Sequence, residues 1–119
     1  MSVVSRQAPQ EPRFHVAVRD EGGGAVVALA GELDLATVAD AAAAIREPLA
    51  RGRVRLDLRE LEFMDSSGVH MLDAVLRDAD REGWTLHVDP AMRPPVRRLL
   101  EITGLLGVLP FADTARGAP

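Results

Sequence analysis

The chain has 119 residues, of which 47% are hydrophobic and 3% aromatic, with a formal net charge of −4 and no cysteine. That length suits one domain, with a core that must be built from Val, Leu, Ile and Ala. The missing cysteine excludes disulfides, thiol catalysis and thiolate metal sites, and the acidic balance argues against a nucleic-acid partner, which would need a basic surface.

No apolar run approaches the ~20 residues that cross a bilayer. Met1 to Pro12 is polar and lacks a signal-peptide core. The expectation is a soluble, cytoplasmic protein without direct membrane insertion. Residues 1–12 read as a flexible arm, 13–112 as the domain and 113–119 as a flexible tail.

Phe14 to Val18 alternates weakly and predicts a strand, and Ala25 to Ala30 is an apolar run short enough for a second. Glu21-Gly22-Gly23-Gly24 between them predicts a hairpin loop. Gly31-Glu32-Leu33-Asp34 is read as leaving the sheet. Val38, Ala41, Ala42, Ile45 and Leu49 then recur at helical spacing, with the helix expected to stop near Glu47 or to kink at Pro48.

Arg53 to Leu58 reads R-V-R-L-D-L, a strict alternation that predicts a strand with one wet side, carrying Arg53, Arg55 and Asp57. A loop is expected from Arg59 to Met64. Val69, Leu72, Val75, Leu76 and Ala79 predict a second helix ending before Gly83. Trp84 to Val88 predicts a fourth strand. Pro94 sits where a first-turn proline would, and Val96, Leu99, Leu100 and Thr103 give the third helix its buried face, with Gly104 at its end. Val108 to Phe111 is a short last strand or a helix lead-in. The expected fold is α/β: a mixed, mostly parallel sheet of four to five strands with helices packed on one face.

The chemistry concentrates at Asp65-Ser66-Ser67-Gly68, at the mouth of the second helix. Asp and Ser oxygens accept bonds from the free N–H groups there, so an ordinary helix cap is the first reading of the segment. Two adjacent hydroxyls at a helix start also suit phosphorylation. A phosphate would meet the positive end of the helix dipole and add about −1.5 to −2 charges. Gly68 removes a side chain where another surface can approach closely.

Leu29-Ala30-Gly31-Glu32-Leu33-Asp34, Leu56-Asp57-Leu58, Phe63-Met64-Asp65-Ser66-Ser67-Gly68 and Val96-Arg97-Arg98-Leu99-Leu100 through Thr103-Gly104-Leu105 together resemble the STAS domain of anti-sigma factor antagonists. The match runs from about Phe14 to Phe111, and F-M-D-S-S-G is its most specific part. The resemblance implies that a serine kinase, itself an anti-sigma factor, phosphorylates Ser66, with Ser67 as second choice. The unphosphorylated form would bind the kinase and free the sigma factor, and a serine phosphatase would reverse the mark. Carried over, the partner-binding residues are Asp65, Ser66, Ser67 and Gly68, with Glu32 and Asp34 in the adjoining loop, and His70 is counted with them. His70 stands where such proteins often have a small residue. Its first reading is a solvated surface histidine; its spacing of four from Ser66 also allows pairing with a phosphoserine.

Other constellations are weaker. Glu60 and Glu62 read as solvated, and His15, His70 and His87 lack metal-site spacing. Ser66 has no G-x-S-x-G context, and Gly22-Gly23-Gly24 is not followed by Lys-Ser/Thr. Arg93, Arg97 and Arg98 read as a solvated helix face. The expectation is therefore a regulatory binding protein, not an enzyme, without cofactor or metal. The alternative is a STAS-type structural subunit of a lipid-transport ATPase assembly that carries no phosphate.

Overall fold

The computed structural model describes residues 13–112; the arm and tail expected at 1–12 and 113–119 lie outside the described residues. Strands β1 (Phe14–Glu21) and β2 (Gly24–Leu33) pair antiparallel, with Glu21 opposite Gly24. Gly22 and Gly23 between them have φ values of 52° and 86°. A two-residue turn with both φ positive matches the twist of a hairpin, and glycine adopts it without a Cβ penalty.

Strand β3 (Arg53–Met64) lies parallel to β2, and β4 (Thr85–Met92) parallel to β3, so the sheet order is β1-β2-β3-β4. Helix α1 (Val38–Arg51) links β2 to β3, and α2 (Ser66–Glu82) links β3 to β4, as parallel neighbours require. Helix α3 (Pro94–Ile102) opens on two prolines, where a missing N–H leaves no bond unmade. The sheet has four strands. At the position of the expected fifth, a 3-10 turn spans Leu106–Val108 and Phe111 makes a single bridge to Val88. Pro110, which has no N–H, keeps this segment from extending the ladder.

One buried cluster holds Val27 and Leu29 of β2, Val54, Leu56 and Leu58 of β3, and Leu86 and Val88 of β4. The same cluster contains Ile45 and Leu49 of α1, Leu72 and Val75 of α2, and Val96 and Leu100 of α3. All three helices therefore share the inner face of the sheet. The outer face carries the row Arg19, Val26, Arg55 and His87 in direct register. Asp57 belongs to this outer face, yet it is only 9% exposed. Arg59 explains this departure from a wet position. Its backbone N–H and Nε donate to Asp57 Oδ1 at 2.9 and 3.2 Å, and Nη2 donates to Oδ2 at 2.8 Å. These bonds hold the Asp57 carboxyl below its ordinary range, against the upward pull of desolvation.

Several boundaries differ from the sequence expectation. Residues 59–64, read as a loop, continue β3, and Gly31 to Leu33 stay in the sheet opposite Leu61 to Met64. Register shifts between β2 and β3 break the two-residue alternation, so Leu58, Leu61 and Met64 are buried at spacing three. Helix α1 runs past Pro48 to Arg51, and Pro48 is buried. Burial of the ring in the last turn offsets the hydrogen bond that proline cannot donate. Thr103, expected to be buried, is exposed and caps α3, its hydroxyl donating to the Leu99 carbonyl at 2.9 Å.

Candidate functional site

The C-terminal ends of β2 and β3 converge on the start of α2. The Asp65 N–H donates to the Leu33 carbonyl at 3.2 Å, which ties the two strand ends together. Asp65 is the N-cap. Its extended backbone turns the chain, and its Oδ1 accepts the Ser67 N–H at 2.8 Å. Its carbonyl accepts the Gly68 N–H at 3.0 Å and the Val69 N–H at 3.3 Å. The first-turn donors from Ser67 to Val69 are thus already engaged. A phosphate here would lie beside a carboxylate, not on a row of free N–H groups.

Ser66 is exposed and Ser67 is half-buried. Gly68 is buried. A Cβ there would lie 2.6 Å from Met64 Cγ and 3.0 Å from Leu33 Cδ2. The close approach expected at Gly68 is made by the domain's own core, so this glycine supports the site from inside and is not part of its surface.

The adjoining loop is built by hydrogen bonds. Gly31 has φ 91°, and a Cβ on it would lie 2.1 Å from the Arg13 carbonyl oxygen, which accepts the Glu32 N–H at 2.7 Å. The Arg13 guanidinium donates to Glu32 Oε1 at 2.6 and 2.9 Å and to Asp34 Oδ2 at 2.9 Å. The Glu32 bond, with the charges of Glu32 and Asp34, raises the Arg13 pKa above its ordinary value. Thr37 Oγ1 accepts the Asp34 N–H and donates to the Glu32 carbonyl, and Asp34 Oδ1 accepts the Ala36 N–H. Glu32 and Asp34 therefore hold the loop through Arg13, a residue that sequence reasoning did not single out.

His70 is exposed on the same helix, and a shallow groove opens on either side of it. One is lined by Ser66, Val69, His70, Asp73, Thr103 and Leu105. The other is lined by Ser67, His70 and Met71 against Leu35, Val38 and Ala42. Leu35 is 78% exposed. It went unnoticed in the sequence, where a lone apolar residue between Asp34 and Ala36 carries no periodic signal. Elsewhere, Arg93 donates to Glu60 and to the Arg59 carbonyl, and Arg97 donates to the Pro90 carbonyl. Arg93, Arg97 and Arg98 are all exposed, so the cluster is a solvated face along which Arg93 and Arg97 make surface bonds. Among the described residues, no group of three His, Asp or Glu side chains is placed to hold a metal, and no helix is long and apolar enough to cross a membrane.

Residues 16–110 match the family described as Mlab, STAS domain. The chain belongs to the STAS domain family of anti-sigma factor antagonists. An anti-sigma F factor antagonist from Paenibacillus polymyxa is 33% identical over 94 residues, covering 76% of this chain and 80% of its own length. The crystal structure of an anti-sigma factor antagonist from Mycobacterium paratuberculosis superposes with a TM-score of 0.73 at 29% identity, covering 84% of this chain and 86% of that one. The unphosphorylated form of the anti-sigma factor antagonist SpoIIAA gives 0.64 at 25% identity, covering 88% and 99%. The two solved structures share the α/β fold of this chain.

Proposed function

We propose that this STAS protein is an anti-sigma factor antagonist that is switched at Ser66. Unphosphorylated, it binds an anti-sigma factor serine kinase and so releases the sigma factor; phosphorylated on Ser66, it does not bind. A serine phosphatase resets it. The observation that carries this reading is the exposed Ser66 hydroxyl on the first turn of α2, at the edge of a groove that a partner can cover. Ser67 is the poorer acceptor, being half-buried with its N–H held by Asp65. No enzymatic step by this chain is invoked.

The physical basis is a difference between two magnitudes. A charge at an exposed helix start changes folding stability by about 0.3–1 kcal/mol. Like charges brought together across a docked surface cost several kcal/mol. A penalty of about 3 kcal/mol weakens binding roughly a hundredfold. The test compares wild type, Ser66→Ala and Ser66→Glu for binding to the anti-sigma factor, with mass spectrometry locating phosphate on protein isolated from cells. Phosphate on Ser66 and a loss of about two orders of magnitude for Ser66→Glu are expected. Binding of Ser66→Glu as tight as wild type would sink the mechanism.

The grooves beside His70 would serve a permanent partner equally well. That is the alternative reading, a structural subunit of a lipid-transport ATPase assembly. It requires co-purification with an ATPase subunit and no phosphate on Ser66.

A further inference from the structure

The groove beside Ser66 holds one residue able to carry a positive charge. Its lining is Ser66, Val69, His70, Asp73, Thr103 and Leu105. The α3 end contributes an uncharged hydroxyl and a leucine, and the groove toward α1 is lined there by Leu35, Val38, Ala39 and Ala42. On α2 itself the charged neighbour is Asp73, whose carboxylate accepts from Arg77 Nε at 2.9 Å. Arg13, close in the fold to the strand ends, is committed to Glu32 and Asp34. Asp65 is the other carboxylate at the helix start, and it is committed to the Ser67 N–H.

We propose that His70 is the counter-cation of a phosphate carried on Ser66, so that the phosphorylated state contains an imidazolium–phosphate pair. This rests on the reading of Ser66 as the phosphoacceptor and adds how the mark is held. Residues four apart on a helix lie one above the other, and an anion placed N-terminal to a cation is the favourable order. His70 stands beyond the first turn, where the helix dipole that would oppose an imidazolium has largely faded. Asp65 directly precedes the phosphate position and Asp73 lines the same groove, and His70 offsets their negative charge.

The test installs phosphoserine at position 66 by genetic-code expansion, in the full chain, and follows its second ionisation by 31P NMR. Against His70→Gln, the wild-type midpoint is expected to be lower by about 0.2–0.7 of a pH unit, the range for an exposed ion pair. His70→Lys should restore the lowered midpoint. Equal midpoints in wild type and His70→Gln, or a lysine that fails to lower the value, overturn the pairing. Because the phosphate is built in, the result does not depend on whether a kinase marks Ser66 in cells; mass spectrometry of the cellular protein reports that separately.

Discussion

Gly31 and Gly68 occupy opposite sides of the same problem, which is how to bring two strand ends and a helix start into contact. At Gly31 the obstacle is backbone, the Arg13 carbonyl, and the residue holds φ 91°. At Gly68 the obstacle is side chain, Met64 and Leu33. Gly68→Ala gains up to about 1 kcal/mol in helix propensity and incurs overpacking of about 1–3 kcal/mol, so a net loss of roughly 1 kcal/mol is expected. Urea denaturation measures it, and an unchanged or higher midpoint would show that Met64 moves aside freely. Both glycines were visible in the sequence as members of motifs. Their reasons were not, because a glycine that admits a partner and one that admits its own core look the same in one dimension. The same limit hid Arg13, whose ion pairs with Glu32 and Asp34 join residues far apart in the chain.

At the scale of elements, the order of strands and helices was legible because each helix announced its apolar stripe and each turn its glycine or proline. The long strand β3 was legible only in its first half. R-V-R-L-D-L alternates cleanly; beyond Leu58 the bulges move burial to spacing three, which no two-residue or helical template matches. Helix α2 was placed correctly by its cap, and the cap can be separated from any contact Asp65 makes with a partner. Asp65→Ala removes the acceptor of the Ser67 N–H and is expected to destabilise the domain by about 1 kcal/mol. Asp65→Asn keeps an acceptor oxygen, so its thermal midpoint should stay near wild type. If binding falls in the asparagine variant while its stability holds, the carboxylate charge itself is read by the partner. If stability falls in both variants alike, capping by the neutral amide is insufficient and the charge at the helix start matters to folding.

For the molecule as a whole, the helix-covered face and the open face of the sheet divide the work. The covered face supplies the buried cluster, with Leu29, Leu33, Ile45, Leu49 and Leu56 fully inaccessible. The open face is an arrangement of charges. Arg55 lies near Glu21 and Asp89, and Asp57 is gripped by Arg59. The site sits away from this network, at the strand ends, so a phosphate there leaves the open face unchanged. Acid sensitivity should accordingly come from the sheet, through Asp57, and from Asp78 on α2, whose carboxyl is held low by its bonds to Arg46 and Arg81, and not from the switch. The Asp57 carboxyl is held below its ordinary range in the folded protein, chiefly by the Arg59 side-chain bonds. An unfolded aspartate takes its proton near pH 3.9. The stability that Asp57 contributes is thus complete above that value and is lost as pH falls through the lower, folded value. Asp57→Asn should lower the urea midpoint at pH 7, keep the same deficit down to about pH 5, and converge on wild type as the carboxylate protonates below about pH 4. A deficit that persists undiminished at low pH would assign the effect of Asp57 to packing at its 9% exposed position rather than to its charge.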